Sequence, residues 1–315
     1  MIDRAVNSDS TSPRFSVIIP AYNRERFIGE CVRSALEQRY PAEEVIVVDD
    51  GSTDRTRQVV RDVPGASTVR YQNQENQGPS VARNYGASLA KGDWLAFLDA
   101  DDVWKPDKLS IQAEYVRKHP EAAMFWCDVE YIDESGGALE PVDWKDRLSP
   151  LMFNRPMCPV PSVVILRKDV FALLGGFNPL MRCYEDGEFF MRVAAQFPIH
   201  FIDRVLVRYR CHPSQLHRNV RARATSWPFM YQLLAELWRD DPAKQATLLK
   251  VSASIHTYLG KHFLRAGDYR EARRHFRLSC KQDPVSWTNL RRWGLSYFPP
   301  LRALYRHSKK HAVRV

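Results

Sequence analysis

The sequence lacks several features that would place it in a class at once. Its six cysteines are widely spaced and include no C-x-x-C pair, which argues against a disulfide framework or a zinc knuckle and favours reduced thiols. No run of about 18 uncharged apolar residues occurs, so no membrane-spanning helix is expected. Residues 1–13 are polar and resemble a disordered tail more than a secretory signal. These absences favour a cytoplasmic protein.

Two glycine-rich nucleotide-binding patterns are also missing. Neither G-x-x-x-x-G-K-[ST] nor G-x-G-x-x-G is present in the 315 residues. The sequence therefore contains neither a P-loop nor a dinucleotide-binding turn. Any nucleotide must be held by other means.

Positive charge is scarce in the first two thirds of the chain and abundant in the last third. The whole sequence carries a net charge of +9, but residues 201–315 contain 23 Lys and Arg against 7 Asp and Glu, a net charge of +16. Such a region is typical of proteins that meet an anionic surface. Aromatic residues among the basic ones at 287–315 favour a membrane interface, although a solvated basic helix is an alternative. No nucleic-acid motif is present, so no nucleic-acid partner is expected.

What the sequence does contain is a regular alternation of apolar runs and amphipathic stretches. This order predicts an α/β domain over residues 14–215, with a mostly parallel sheet flanked by helices. The predicted strands are 15–20, 45–48, 68–71, 94–98, 122–127, 163–166 and 200–209, and the predicted helices are 25–38, 53–63, 80–90, 106–118, 168–174 and 185–195.

Two regions depart from that alternation. The proline-rich residues 141–161 predict a mobile loop that helps to shape an acceptor site. Residues 216–315 predict an all-helical region that ends in a basic tail. Within it, one helical hairpin resembles a tetratricopeptide unit, with interlocking faces formed by Leu259, Phe263, Ala272 and Phe276.

Carboxylates cluster directly after the bulkiest apolar strand. Residues 94–98 are followed by Asp99, Asp101 and Asp102. Ligands of open α/β sheets bind at strand ends, and neighbouring carboxylates repel one another unless a cation lies among them. Their oxygens suit Mg²⁺ or Mn²⁺, usually together with substrate phosphates. On these residues alone, an acidic loop that caps the next helix is an equal alternative.

Four segments in register resemble the family 2 glycosyltransferases. They are Ser16–Asn23, Val48–Asp54, Asn76–Gly78 with Ala82–Asn84, and Leu98–Asp102. The resemblance covers roughly residues 14–212. It implies a GT-A fold, which is Rossmann-like, a nucleotide-sugar donor, a divalent cation (Mn²⁺ or Mg²⁺) and inversion at the anomeric carbon.

The resemblance also implies roles for the acidic loop. Asp99 and Asp101, with Ala100 between them, match the D-x-D motif of the family. Asp101 is expected to bind the metal directly, and Asp99 to orient ribose or sugar hydroxyls and to be a further candidate metal ligand. Asp102 is a weaker candidate.

A basic residue or histidine after the last strand often meets the metal or diphosphate in this family. His212 fills that place here, with Arg210 as its support, and a structural role for this histidine is an equal alternative. No Q-x-x-R-W signature is present, which argues against a processive polymerase.

The donor pocket implied by the resemblance includes residues from three strand ends. A carboxylate of Asp49 or Asp50 is expected to accept a hydrogen bond from the base, with uracil N3 as the donor; the alternative is that these residues only form a turn. Arg83 is expected to reach the diphosphate or base, and a surface salt bridge is its alternative. The other pocket residues are Pro20, Tyr22, Asn23 and Gly78.

An inverting transfer needs a general base for the acceptor hydroxyl. Asp186 is the expected base and Glu185 its alternate, because the pair follows Gly175–Asn178 at the spacing of the family's E-D motif. The alternative is that both only favour a helix N-terminus. Arg192, six residues after Asp186, is expected to serve packing.

The function that follows is transfer of one sugar, from a UDP-sugar by preference, to a hydroxyl of a glycan or lipid-linked acceptor at the inner face of the membrane. One alternative is a nucleotidyltransferase that makes sugar nucleotides, although residues 21–24 lack the glycine-rich loop it would need. Another is a membrane- or anion-binding module that carries a degenerate transferase domain.

Overall fold

The structure, a computed structural model, describes residues 12–140, 159–213, 215 and 220–283. These residues form two compact units, with 220–283 in the second and the others in the first. The predicted tail at 1–13 lies almost wholly outside the described residues. So do most of the predicted loop at 141–161 and the aromatic-basic stretch at 287–315.

The first unit is an eight-stranded mixed sheet with flanking helices. The strands are β1 Phe15–Ala21, β2 Glu44–Asp49, β3 Val69–Asn73, β4 Trp94–Phe97, β5 Val103–Trp104, β6 Met124–Ile132, β7 Ile165–Arg167 and β8 Ile199–Arg210. Their order in the sheet is β3-β2-β1-β4-β7-β6-β8-β5. The helices are α1 Ile28–Leu36, α2 Thr56–Arg61, α3 Pro79–Leu89, α4 Lys108–Lys118, α5 Lys168–Leu173 and α6 Glu185–Gln196, with short 3₁₀ turns at Ala66–Thr68 and Pro161–Val163.

The first half of the sheet is parallel, as the alternating sequence predicts. β1 pairs in parallel with β2 and β4, and β2 with β3. β1, β2 and β4 are almost wholly buried, and β1 and β2 are rich in Val and Ile, which is typical of a parallel sheet covered on both faces. The edge strand β3 is half-buried. The carboxyl ends of these parallel strands therefore meet at one edge.

Strand direction reverses at β7. This strand is antiparallel to both of its neighbours, β4 and β6, whereas β6 and β8 run in parallel. Because of the reversal, the segment that enters β7, Pro161–Val163, lies at the same edge of the sheet as the end of β4. That edge is where the acidic loop begins.

Aromatic packing fixes the helix that carries Glu185 and Asp186 against β4. The rings of Phe97, Phe177 and Phe189 lie with centroids 5.3 Å and 4.8 Å apart along the series, and Phe171 closes the group at 5.1 Å from Phe189. Phe97, Phe177 and Phe189 are fully buried. Each such burial stabilises the fold by about 1.5–3 kcal/mol, so the start of α6 has a defined position relative to the sheet.

Helices α1, α2 and α4 begin two or three residues later than the sequence predicts. α2 was expected from residue 53 but begins at Thr56. The reason is that Thr53 donates its backbone N–H to Asn23 Oδ1 at 2.8 Å, and Ser52 donates its own to Asp49 Oδ1 at 2.8 Å. These residues are held by the loop and are not available to form a helical turn.

The second unit is helical where it is described. It contains α7 Val220–Leu237, α8 Pro242–Ala266 and α9 Tyr269–Gln282. Gly267, at φ 84°, ends α8, and the side chain of Asp268 then accepts the backbone N–H of Glu271 at the start of α9. A buried cluster joins the two helices and contains Leu259, Phe263, Ala272 and Phe276. Among the described helices, none is both long and apolar enough to cross a bilayer.

Candidate active site

The three carboxylates that follow β4 have separate partners. Asp99 Oδ1 accepts a hydrogen bond from Arg83 at 2.6 Å. Asp101 Oδ2 lies 2.9 Å from His212 Nε2 and 3.3 Å from Arg24 Nε. The repulsion expected between these neighbours is therefore relieved by distinct cationic or hydrogen-bonding groups.

Asp102 holds the loop in place. It is 1% exposed and accepts hydrogen bonds from Ser162 Oγ at 2.5 Å and from the backbone N–H of Arg210 at 3.0 Å. Burial, followed by the charges of Asp101 and Asp99, raises its pKa well above the usual range. These contacts make it an anchor between the end of β4, the entry of β7 and the end of β8.

Arg210 is a second anchor. The sequence predicts it only as a support for His212, but its guanidinium group contacts several segments. Its Nε donates to the carbonyl oxygen of Asp101 at 2.9 Å, and one terminal nitrogen donates to Glu30 at 2.6 Å. The other terminal nitrogen donates to the carbonyl oxygens of Asp133 and Glu134. The guanidinium thus fixes the position of Asp101 from behind.

Asp101 and His212 form the pair in the site best suited to a divalent cation. Although burial alone raises the pKa of Asp101, the hydrogen bond from His212 and the charge of Arg24 outweigh it and lower that pKa. A carboxylate oxygen and an imidazole nitrogen 2.9 Å apart are both ligands that Mn²⁺ accepts. Two protein ligands completed by substrate phosphates are typical of such sites. The donor set therefore fits the expected metal, while Asp99 is engaged by Arg83.

Arg83 is not a surface residue, contrary to the alternative considered for it. It is 5% exposed, and its two terminal nitrogens bridge Asp99 and Glu185 at 2.6 Å and 2.9 Å. The remaining guanidinium nitrogen, Nε, is buried without a hydrogen-bond partner within the described residues. Arg83 connects the acidic loop to the start of α6.

Glu185 and Asp186 have different environments although they are adjacent. Glu185 is bound by Arg83, whereas Asp186 is partly exposed and accepts the backbone N–H of Gly187 at 2.7 Å. Burial, followed by the charge of Glu185, raises the pKa of Asp186 to about 7. A carboxylate that titrates near neutral pH is suited to accept a proton.

The two aspartates after β2 are buried and hold loops. Asp49 accepts hydrogen bonds from the backbone of Ser52 and from the hydroxyl of Tyr71. Asp50 accepts three, from Gln74 Nε2 at 2.7 Å and from the backbone N–H groups of residues 77 and 78 at 2.9 Å and 2.7 Å. Both are 3% exposed. Asp50 thereby positions Gly78, which precedes α3 with φ 95°.

The other residues predicted for the donor pocket lie around the end of β1. Tyr22 is 45% exposed, and Pro20 is partly buried. Asn23, at φ 51°, accepts a hydrogen bond on its side-chain oxygen from the backbone N–H of Thr53. Ala100 is buried within the acidic loop. The structure thus brings Tyr22, Asn23 and the β2 loop together.

Arg24 and Ser162 were not identified from the sequence. Arg24 follows the first strand and pairs with Asp101, and Ser162 accepts the backbone N–H of Asp99 at 3.0 Å. Arg24 could have been found from its place next to Asn23. No signal in the sequence connects Ser162 with Asp99 and Asp102, which precede it by 63 and 60 positions.

The chain is similar to a known protein family and to several known proteins. The model of glycosyl transferase family 2 matches residues 16–173. An uncharacterized glycosyltransferase of Rickettsia felis is 31% identical over 217 residues, which cover 66% of this chain and 36% of that protein. A putative teichuronic acid biosynthesis glycosyltransferase of Bacillus subtilis, TuaG, is 42% identical over 116 residues, covering 36% of this chain and 46% of that one. The chain thus spans less than half the length of these two curated relatives.

Two solved structures share the GT-A fold. S. aureus TarS 1–349 in complex with UDP-GlcNAc has a TM-score of 0.56 at 18% identity and covers 87% of this chain and 93% of that one. The mannosyltransferase PcManGT of Pyrobaculum calidifontis, in complex with GDP-Man and Mn²⁺, has a TM-score of 0.57 at 21% identity and covers 94% and 84%. At these identities the likeness shows the fold.

Proposed function

This chain belongs to glycosyl transferase family 2, and on that premise we propose that it transfers one sugar, with inversion, from a nucleoside-diphosphate sugar to a hydroxyl group. The favoured donor is a UDP-sugar, and the favoured acceptor is a glycan or a lipid-linked sugar. The observation that carries the proposal is the convergence of Asp101 and His212 at the sheet edge to which Arg83 also ties Asp99 and Glu185.

The leaving group is the part of the reaction that Asp101 and His212 serve. A divalent cation held there would neutralise the charge that develops on the departing diphosphate. Arg24, whose side chain is 22% exposed, lies beside the same carboxylate oxygen and adds positive charge to this end of the site. Arg83 holds Asp99 in a fixed orientation, from which its carboxylate can accept a hydrogen bond from a sugar or ribose hydroxyl.

The acceptor is activated by Asp186 in this proposal. Its carboxylate takes the proton of the acceptor hydroxyl while the oxygen forms a bond to the anomeric carbon. The bond from that carbon to the diphosphate breaks, and its electron pair leaves with the nucleoside diphosphate. Glu185 is the poorer base because Arg83 compensates its charge.

The base of the donor lies against Tyr22 and the β2 loop in this proposal. The exposed ring of Tyr22 offers a face for stacking. Asp49 is the better acceptor for a base N–H, because two hydrogen bonds use its oxygens whereas three use those of Asp50. TarS, solved with UDP-GlcNAc, supports a uridine donor, and PcManGT, solved with GDP-Man, keeps guanosine as the second choice.

The test is release of nucleoside diphosphate from a panel of nucleotide sugars, with and without Mn²⁺. Asp101→Asn should lower the metal-dependent rate by about 100-fold or more, because removal of one electrostatic partner of the leaving group typically costs that much. Asp93→Asn is the matched control, since Asp93 precedes the same strand and pairs with Arg14 at the opposite edge. An unchanged rate in Asp101→Asn would refute the metal role.

The competing nucleotidyltransferase function is separated by its product. Incubation with a sugar 1-phosphate and a nucleoside triphosphate should release no pyrophosphate if the chain is a glycosyltransferase alone. Release of pyrophosphate that depends on Asp101 would favour the alternative.

A contact with an anionic membrane is the accessory part of the proposal. Helix α9 buries Ala272, Phe276 and Ser279 on one face. Five basic side chains of this helix are exposed or partly exposed. They are Arg270, Arg273, Arg274, Arg277 and Lys281. A row of this kind suits the headgroups of an anionic leaflet, each cation near such a surface contributing about 1 kcal/mol, and it would bring the enzyme to a lipid-linked acceptor.

A further inference from the structure

A second group of metal-ligating side chains lies outside the active site. His119 follows α4, Glu121 comes two residues later, and His200 is the second residue of β8. Glu121 Oε1 is 3.6 Å from His119 Nδ1 and 3.2 Å from His200 Nε2. All three ligand atoms lie within 4.8 Å of one another. Within the described residues, no other group of three His, Cys, Asp or Glu side chains meets this condition.

The distances match a particular coordination geometry. Zn²⁺ bound tetrahedrally at about 2.0–2.1 Å to nitrogen and oxygen places neighbouring ligand atoms about 3.3–3.4 Å apart. The two distances to Glu121 fall on either side of that value. A nitrogen-rich set of two imidazoles and one carboxylate suits Zn²⁺, Co²⁺, Ni²⁺ or Cu²⁺ better than Mg²⁺ or Ca²⁺.

The two imidazole rings are stacked together at the surface of the protein. Their centroids are 4.1 Å apart at an interplanar angle of 27°, and the ring of Phe125 lies 5.9 Å from that of His200. About a third of each histidine side chain is exposed. The group is therefore accessible to an ion and to water from the solvent.

This group is remote from the reacting groups. His200 lies at the start of β8 and His212 follows its end, so twelve residues separate them along an extended strand. Because nine residues of β6 pair along the whole length of β8, about 3.3 Å per residue gives a separation of roughly 30 Å. An ion bound at His200 is thus too far away to touch the donor.

We propose that His119, Glu121 and His200 form a Zn²⁺ site that ties the end of α4 to the start of β8. The site joins elements that are distant in the sequence, since His119 and His200 are 81 positions apart. Its effect is on stability and not on sugar transfer. An ordinary surface hydrogen bond from each histidine to Glu121 is the competing account, and it needs no metal.

The test is titration of the metal-free full chain with Zn²⁺ and, separately, with Co²⁺, whose visible absorption reports nitrogen coordination. The His119→Asn/His200→Gln double variant should lose one equivalent of bound metal and the rise in melting temperature that Zn²⁺ causes. His262→Gln, a histidine that lies outside both this group and the active site, should keep both. Glu121→Gln should weaken binding by about tenfold or more.

Two outcomes would overturn the site. One is an unchanged stoichiometry in the double variant, and the other is wild-type Zn²⁺ binding that is undetectable at micromolar protein. If the double variant does not fold, the Glu121→Gln variant decides, because its side chain is 54% exposed and its loss does not disturb a core. An unchanged affinity in that variant counts against the proposal.

Discussion

At the scale of single residues, neighbours in sequence have been given opposite electrostatic environments. Glu185 is compensated by the buried guanidinium of Arg83, while Asp186 is left with a pKa raised to about 7, first by burial and then by the charge of Glu185. A pair of carboxylates whose environments differ in this way can divide its roles, one holding the structure and the other moving a proton. The same division separates Asp102 from Asp101.

Asp186→Asn should lower kcat by about 10²–10⁴-fold, because a general base contributes about that much. Donor affinity should be unchanged, since Asp186 acts on the acceptor. In the wild type, the base must be ionised, so kcat should fall as pH drops below about 7 and level off above it. The measurements are kcat, the donor dissociation constant and the acid limb of the pH profile of kcat.

Glu185→Gln is the comparison for that prediction. It removes one partner of Arg83, which should lower stability, and it removes the charge that helps to raise the pKa of Asp186. The acid limb of the pH profile should therefore move to lower pH but remain. An Asp186→Asn enzyme with wild-type kcat, or an acid limb that survives in it unchanged, would refute Asp186 as the base.

The site residues that the sequence could predict are those that lie in short sequence motifs. Asp99, Asp101 and Asp186 each lie in a short recognisable segment, and Arg83 connects Asp99 with Glu185, the neighbour of Asp186. Ser162 could not be found in this way, because its partner Asp102 is 60 positions distant. Arg210 was given only a supporting role, because its link to Glu30 spans 180 positions.

At the scale of elements, long amphipathic stretches were the most predictable and short strands the least. The parallel order of β1 to β4 follows from alternating apolar runs. β5 has only two residues and was not predicted, and β7 has only three, too few to carry a period that sets its direction. The reversal at β7 is therefore decided by tertiary pairing with β4 and β6.

The pairing of α8 with α9 depends on the absence of one side chain. A Cβ atom at Gly260 would lie 2.7 Å from Cε1 of the buried Phe276. Gly260→Ala should lower the free energy of unfolding of this helix pair by up to about 2 kcal/mol, since an overpacking cost of about 1–3 kcal/mol is only partly offset by the helix-propensity gain of about 1 kcal/mol. Hydrogen exchange of the α8 and α9 amides would measure the change.

Ser254→Ala is the matched substitution on the exposed face of the same helix. It should stabilise α8 slightly or leave it unchanged, because alanine is the better helix former. Slower exchange in Gly260→Ala than in the wild type would show that the close packing of Phe276 has been misjudged.

At the scale of the whole molecule, charge is divided along the chain. The net charge of +16 over residues 201–315 contrasts with −7 over the preceding 200 residues, which contain 23 basic and 30 acidic side chains. Solvent-exposed charges of this kind act over about 10 Å at 0.1 M salt and about 3 Å at 1 M. Any contact with an anionic surface should accordingly be sensitive to salt.

Binding of the full chain to vesicles that contain anionic lipid should be detectable by sedimentation at low salt and lost towards 1 M salt. Arg270→Gln/Arg277→Gln should weaken it by about 10- to 30-fold, since each cation contributes about 1 kcal/mol near such a surface. Arg117→Gln/Lys118→Gln removes the same charge from the exposed end of α4 and should leave binding nearly unchanged. Equal losses in both variants would exclude a specific role for α9.

The reversed strand β7 has a practical consequence. Because it runs against β4, the residues that enter it reach the sheet beside the carboxylates that follow β4, as the hydrogen bonds of Ser162 to Asp99 and Asp102 demonstrate. New sequence grafted just upstream of Pro161 would arrive next to the reacting groups while the four parallel strands kept their own pairing. Protein engineers who wish to transplant acceptor preference between such enzymes have a natural splice point here.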